Sequence, residues 1–313
     1  MNQNNKLSVV IATMNRTESL RDTLEYLEKS SVLPTEVIVV DQSTNTEIHS
    51  ENLKLCEQIN MNVQVFFREP SLTAARNFGI TKAENDVVIF MDDDVRVQEN
   101  TIENITKLMS DSTISMIGGL DEKPSMTKSL IGYLFGKKSY FKRNIGHVTG
   151  ALYGRYPMVI DKETPTQWAM GYFFVVRKSL VEKWNLDWDE RFLSYGYPED
   201  LDFSFRYYRE AKKEGLKCII TPDVTVKHMC SQEWREIPSK VTYMYIVHRE
   251  YLTYKWGLGF WSRVQTRWSN FGMLLERLMH RNNAVDVIKA QLFCDTYRKD
   301  IKKGILHSEL YMK

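Results

Sequence analysis

The stretch Asp86-Val-Val-Ile-Phe-Met-Asp-Asp-Asp94 decides the fold. Its short apolar run reads as a buried strand, and the three acids that end it place a polar edge at the strand's carboxyl end. Three similar runs precede it: Leu7-Ser-Val-Val-Ile-Ala12, Thr35-Glu-Val-Ile-Val-Val-Asp41 and Asn62-Val-Gln-Val-Phe-Phe67. Between them lie helical patterns. Residues 18–30 repeat Leu20, Leu24 and Leu27, residues 47–59 are polar, and residues 71–83 are rich in alanine. Apolar strands alternating with helices predict an α/β protein with a mostly parallel central sheet and helices on both faces.

The second half reads differently. Residues 121–150 carry Gly, Lys and Ser with scattered aromatics, which predicts a long mobile connection. Residues 167–176 are strand-like, 199–213 helical, and 217–220 and 224–227 two short strands. From about residue 238 the pattern is helical to the end, with breaks around 257–259 and 282–283.

Composition bounds the function. The chain has 313 residues, 42 Lys+Arg against 40 Asp+Glu, and a net charge of +2. That length fits one large domain plus an appendage. No apolar run is long enough to span a bilayer. Met1–Thr13 carries a short apolar stretch with no cleavage-type site, so it reads as a first strand and not as a signal peptide. Cys56, Cys218, Cys230 and Cys294 are far apart and form no CxxC pair, which predicts a reduced, cytoplasmic protein. Near-neutral charge gives no case for nucleic acid.

In open α/β sheets, ligands sit beyond the carboxyl ends of the strands. Here those ends are Thr13, Asp41, Arg68 and the run Asp92-Asp93-Asp94. Three adjacent carboxylates repel one another, so the triplet is either a solvated acidic turn or a seat for a hard divalent cation. Asp41 can accept a hydrogen bond from a ring N–H of a base, and Arg76 can pair with a diphosphate. GxGxxG and GxxxxGK[ST] are both absent, which argues against a dinucleotide fold or a P-loop.

Five stretches together resemble a known family. They are Val9-Val-Ile-Ala-Thr-Met-Asn-Arg16, Glu36-Val-Ile-Val-Val-Asp41, Ala74-Ala-Arg-Asn-Phe-Gly79, Val88-Ile-Phe-Met-Asp-Asp-Asp94 and Gly196-Tyr-Pro-Glu-Asp-Leu-Asp-Phe203. Their order and spacing, across about residues 7–230, resemble the GT-A glycosyltransferases of family 2, which are inverting and use nucleotide sugars. That family more often has Pro where this chain has Ala12. The resemblance implies a GT-A fold and a bound Mg²⁺ or Mn²⁺. Thr13 and Asp41 would contact the base, with Asp41 on a pyrimidine N3–H, and Arg76 would stand near the uracil or the diphosphate. Asp92 and Asp93 would address the ribose and the metal's waters, and Asp94 would ligate the metal.

Glu199-Asp200 reads on its own as a helix start, with Pro198 and two acids in the first turn. The resemblance places the catalytic base in this pair. Asp200 is expected to take the acceptor's proton, Glu199 to contact acceptor or donor sugar, and Asp202 to face away. His228 ends a short strand and reads alone as a structural histidine, but some relatives place a metal-binding His there, so it is expected to join Asp94. His147, His248 and His280 have no such context. Trp168 and Tyr172 are expected on the acceptor side, where aromatic faces suit sugar C–H surfaces, while core packing explains Phe173 and Phe174 equally well.

Residues 255–281 hold Lys255, Arg263, Arg267, Arg277 and Arg281 against one acid, Glu276, interleaved with Trp and Leu at helical spacing. Three readings stay open: peripheral contact with the inner face of the cell membrane, a homo-oligomer interface, or packing on the chain's own core. The expected division is a catalytic domain over residues 1–235 and a helical extension over 236–313. The resemblance implies transfer of a sugar from UDP-sugar or dTDP-sugar, with inversion, to a hydroxyl of a glycan or lipid-linked acceptor in bacterial cell-surface polysaccharide or glycoprotein glycan synthesis. A non-catalytic scaffold and a sugar nucleotidyltransferase are the alternatives.

Overall fold

The computed structural model describes residues 6–123, 132, 134–136, 145–155, 160–193, 197–230 and 237–311. Most of the connection expected over 121–150, the Tyr195-Gly196 part of the turn before Glu199, and the expected domain boundary at 235/236 lie outside the described residues.

The first half alternates as its pattern predicts: β1 (Leu7–Thr13), α1 (Thr17–Glu28), β2 (Glu36–Asp41), α2 (Thr46–Gln58), β3 (Val63–Phe67), α3 (Leu72–Lys82) and β4 (Val87–Asp92). Then come β5 (Val95–Val97), α4 (Thr101–Met109), β6 (Ile114–Asp121), β7 (Thr164–Pro165), β8 (Phe173–Arg177), α5 (Lys178–Lys183), α6 (Glu199–Lys213) and β9 (Lys217–His228). One sheet runs β3-β2-β1-β4-β8-β6-β9-β5, with β7 beside β9. β3, β2, β1 and β4 are mutually parallel, and β8 enters antiparallel between β4 and β6.

Alternation along β1 shows how the layers form. Leu7, Val9 and Ile11 pack under Leu20, Leu24 and Leu27 of α1, while Val10 points to the other face with Ala75, Ile80, Phe90 and Phe174. There α3 lies so close that a Cβ on Gly79 would come 2.3 Å from Val10 Cγ1, which explains glycine at that position. Ser71 caps α3, its Oγ accepting from Ala74 N–H at 3.3 Å.

Two expected elements differ. The strand predicted over 167–176 begins only at Phe173, because Trp168 to Gly171 give their polar groups to side chains and loops instead of a ladder. The two short strands predicted over 217–227 form one, β9. It stays paired with β6 across an irregular register between Gly118 and Leu120, where exposed residues around Pro222 bow out.

The C-terminal part is helical: α7 (Pro238–Tyr243), a π-helical turn at Met244–His248, α8 (Arg249–Lys255), α9 (Gly259–Met279), α10 (Val285–Thr296) and α11 (Arg298–Lys302). Its apolar residues Ile246, Val247, Leu252, Trp256 and Val287 share a core with Leu152, Trp168, Phe192 and Leu201 from the sheet-bearing part. A polar joint reinforces that contact. Wholly buried Asp202 accepts from Lys255 Nζ at 2.7 Å, Trp256 Nε1 at 2.8 Å and Arg206 at 2.9 Å. Among the described residues no helix is long and apolar enough to cross a membrane.

Candidate functional site

Sheet register assembles the site. Thr13 lies beside Asp41 and Ala12 beside Asp92, so the ends of β1, β2 and β4 share one edge. Asp92 N–H donates to Tyr172 O at 2.9 Å, which brings the approach to β8 to the same place. The chain then turns through Asp93 and Asp94 into β5, whose Val95 pairs with His228 at the end of β9. Two segments far apart in sequence, at Val95 and His228, therefore meet where the acids are.

The triplet splits by side. Asp93 turns inward and is wholly buried, accepting from Thr13 Oγ1 at 2.7 Å and pairing with Arg16 at 2.7 Å. Its backbone carbonyl accepts from Ser19 and Thr23, tying the turn to α1. Burial pushes the Asp93 carboxyl up to about 7, against the pull of Arg16 and the Thr13 hydroxyl. Asp94, also buried, spans the two sides: one carboxylate oxygen lies 3.9 Å from Arg16 and its Oδ1 lies 3.3 Å from His228 Nε2. Ligand atoms of Asp92, Asp94 and His228 all lie within 4.8 Å of one another. Burial raises the Asp92 carboxyl; Arg76 draws it down and Asp94 pushes it up. Burial works against a charged His228, yet Asp94 outweighs it and raises the imidazole.

Two carboxylates and one imidazole form a donor set suited to a divalent ion that accepts oxygen and nitrogen, Mn²⁺ more readily than Mg²⁺. The cation would relieve the repulsion that Asp92 and Asp94 exert on each other. The residues fit the group. The resemblance implies that Asp92 addresses the ribose and the metal's waters; in the structure it stands with Asp94 and His228. A second cluster, Asp121, His228 and Cys230, adjoins the first through His228.

Glu199 and Asp200 reach this edge from the first turn of α6. Arg76, only 3% exposed, lies between them and the triplet. It donates to Glu199 Oε1 at 3.1 Å, Asp92 Oδ1 at 3.2 Å and Gly171 O at 2.9 Å. The guanidinium thus bridges carboxylates from α6 and β4. Half-buried Asp200 accepts from Gly171 N–H at 3.0 Å and from Leu201 N–H at 2.7 Å. Burial raises both carboxyls above their usual range; Asp200 adds to the rise at Glu199, and the two backbone donors restrain it at Asp200. Gly171 is tightly placed, since a Cβ would come 3.1 Å from Arg76 and 3.2 Å from Asp200 and either neighbour would have to give by a few tenths of an ångström.

Three expected residues lie deeper. Asp41 is wholly buried, with Oδ1 accepting from Ser43 N–H at 2.9 Å and Ser43 Oγ at 2.6 Å, and Oδ2 from His49 and Asn52 at 2.9 Å each. Trp168 is 6% exposed, donates to Arg155 O at 3.2 Å, and packs among the residues joined by the C-terminal helices. Tyr172 is buried, donates to Gly119 O at 3.1 Å, and stacks on His228 with ring centroids 4.6 Å apart. Both aromatics pack among buried apolar side chains, Tyr172 under the sheet and Trp168 against the C-terminal helices. Asp202 faces away from the edge, as expected. The sequence reading did not single out Arg16 or Cys230; only position in the strand-one motif hinted at the first.

The family model of glycosyl transferase family 2 matches residues 8–183. That span holds Thr13, Asp41, Arg76 and the triplet, and ends before Glu199, Asp200 and His228. An uncharacterized glycosyltransferase, YwdF of Bacillus subtilis, is 28% identical over 102 residues, which cover 33% of this chain and 37% of that protein. The match thus spans little more than a third of that relative. The fold is similar to that of the mannosyltransferase PcManGT from Pyrobaculum calidifontis in complex with GDP-Man and Mn²⁺. There the TM-score is 0.55 at 13% identity, over 98% of this chain and 85% of that one. It is also similar to residues 1–349 of S. aureus TarS in complex with UDP, with a TM-score of 0.51 at 16% identity over 91% of this chain and 80% of that one. The architecture is that of the GT-A glycosyltransferases, and the chain belongs to glycosyl transferase family 2.

Proposed function

We propose that the protein is an inverting, metal-dependent glycosyltransferase. It moves a sugar from a nucleoside-diphosphate sugar, UDP- or dTDP-linked, to a hydroxyl of a glycan or lipid-linked acceptor. One observation carries the reading: Arg76 joins the Asp92 side of a cation-suited cluster to the Glu199-Asp200 pair at one strand edge. Solved neighbours hold GDP-Man with Mn²⁺ in one case and UDP in another, which supports a nucleotide-sugar donor here.

Asp92, Asp94 and His228 would hold the divalent ion, which supplies neutralisation of the diphosphate's growing charge. Asp200 takes the proton from the acceptor hydroxyl as its oxygen attacks the anomeric carbon. The bond from that carbon to the diphosphate oxygen breaks, and the nucleoside diphosphate leaves. The backbone donors Gly171 and Leu201 fix the carboxylate while leaving lone pairs for the incoming hydroxyl. A carboxyl raised above its usual range is a better base near neutral pH. Arg76 holds Glu199 beside it as an ion pair. Asp41 acts on the nucleoside end by fixing the Gln42-Ser43 turn, whose Ser43 Oγ in turn accepts from Asn15 N–H at 2.8 Å.

A screen of nucleotide sugars for Mn²⁺-dependent hydrolysis tests the reading without a known acceptor. Slow release of UDP or dTDP from one donor, abolished by chelation, is expected. No release from any nucleotide sugar, with no Mn²⁺-dependent nucleotide binding, would contradict it.

A further inference from the structure

His228 faces two clusters at once, one from each ring nitrogen. Nε2 lies 3.3 Å from Asp94 Oδ1, on the side of the first cluster, and Nδ1 lies 3.4 Å from Cys230 Sγ. Asp121 completes the second group. It ends β6 beside Val226 of β9, and ligand atoms of Asp121, His228 and Cys230 all lie within 4.8 Å of one another. The group is well anchored. Asp121 Oδ1 accepts from Lys123 N–H at 3.1 Å and from His228 N–H at 3.5 Å. Tyr172 sets the imidazole plane, stacked on it at 4.6 Å and itself tied through its hydroxyl to Gly119 O. Cys230 takes up a left-handed backbone, φ 52°, which residues with a Cβ rarely adopt.

The two clusters suit different ions. Asp92 and Asp94 offer hard oxygen, whereas a thiolate, an imidazole and one carboxylate are the softer set that Zn²⁺ takes in four-coordinate sites. Tetrahedral Zn²⁺, with Zn–S of about 2.3 Å and Zn–N of about 2.0 Å, spaces its sulfur and nitrogen about 3.5 Å apart. Cys230 Sγ and His228 Nδ1 already stand 3.4 Å apart. We propose that Asp121, His228 and Cys230 form a second metal site, for a thiophilic divalent ion of the Zn²⁺ kind, which takes His228 from the first. The Cys230 proton leaves to solvent as sulfur binds the ion, and water fills the fourth position. Thiolate and carboxylate balance the ion's two charges. A neutral imidazole has one lone pair. Zn²⁺ on Nδ1 therefore leaves a proton on Nε2, which faces Asp94 as a donor and is lost to the first cluster as a ligand. The two ions then weaken each other by the same factor. That antagonism, unlike the second site itself, rests on the reading of Asp92, Asp94 and His228 as a Mn²⁺ seat.

The test is titration of Co²⁺ into the whole, reduced chain without nucleotide, because cobalt on a thiolate absorbs in the near ultraviolet by sulfur-to-metal charge transfer. One equivalent of Co²⁺ should give that band, and Zn²⁺ should erase it. Cys230→Ser should lose the band with unchanged thermal melting; the other three cysteines are buried and outside the group. No band in the wild type, or a band kept by Cys230→Ser, would overturn the proposal. Saturating Mn²⁺ should weaken Co²⁺ at this band about 5- to 150-fold in the wild type and leave it unchanged in Asp94→Ala. Unchanged Co²⁺ affinity in the wild type, with Mn²⁺ shown bound by electron spin resonance, would overturn the sharing of His228. So would equal weakening in Asp94→Ala, since Mn²⁺ would then be entering the second site. Failure of Mn²⁺ to bind the wild type at all would contradict the reading of the first cluster instead, and the cobalt band alone would decide the second.

Discussion

Arg76 and Glu199, 123 positions apart in sequence, form an ion pair of 3.1 Å with both side chains buried. The same guanidinium holds Asp92 at 3.2 Å, so one residue of α3 ties the end of β4 to the start of α6. The acids expected to address the donor and those expected to serve the acceptor therefore share a counter-ion.

Arg76→Ala leaves Glu199 and Asp92 without that charge. Removing one partner of a buried pair costs about 3–5 kcal/mol. At this chain length the melting temperature should fall by about 6 °C or more. Adding Glu199→Gln should recover part of the loss, because the stranded charge goes with it. Calorimetric melts of the two single variants and the double variant measure this. Strictly additive losses would show that the pair is energetically independent.

Asp200→Asn keeps the shape and the Gly171 contact but removes basicity. Turnover should fall roughly 100- to 10,000-fold while donor binding survives. Glu199→Gln should fall less, and more through substrate affinity than through the maximal rate. Steady-state rates at saturating substrates decide this, and near-normal turnover by Asp200→Asn would move the base elsewhere.

Much of this was legible in the sequence, for physical reasons. A parallel strand must be apolar along its length and can be polar only where it ends, so Thr13, Asp41 and Asp92–Asp94 stood out. Their side was not legible. Adjacent residues at a strand end point to opposite faces, and only the turn into β5 shows that Asp93 goes inward to Thr13 while Asp94 meets His228, with Arg16 reaching both acids. Asp41 read as an open acceptor because the sequence does not show that Ser43, His49 and Asn52 fold back onto it. The face of α9 was ambiguous for a related reason. A stripe of Trp, Phe and Leu reads as the buried side of a helix, but α9 is anchored by the polar Asn270 on Arg249 and Gln291.

Asp41→Ala would strand the Ser43 and Asn52 donors it now satisfies, at about 1–3 kcal/mol for a buried unpaired group. The Gln42-Ser43 turn should loosen, so UDP affinity should fall more than pyrophosphate affinity. Competition titrations of the two ligands check this, and equal weakening would confine Asp41 to the fold.

His248 gives the pH dependence. It is buried in the π-helical turn, with Nδ1–H donating to Tyr197 O and Nε2 accepting from Tyr311 OH at 3.2 Å. Burial lowers its pKa to about 4, against the pull of the Tyr197 carbonyl. The unfolded chain then takes up a proton below about pH 6.5 that the folded chain refuses. Stability is undiminished above that pH and declines as pH falls toward 4, by on the order of 3 kcal/mol. Denaturant melts between pH 7 and 4 should show this slope, and His248→Gln should flatten it. An equal slope in both proteins would assign it to other groups.

The central claim is that Asp92, Asp94 and His228 hold a divalent ion needed to bind a nucleoside diphosphate. Isothermal titration of UDP into the wild-type chain and Asp94→Ala, each with and without Mn²⁺, tests it most directly. The account predicts tight binding for wild type with Mn²⁺ only, and no gain from Mn²⁺ in Asp94→Ala, whose thermal melt confirms that it is folded. Equal UDP affinity in both proteins with Mn²⁺ present would contradict it.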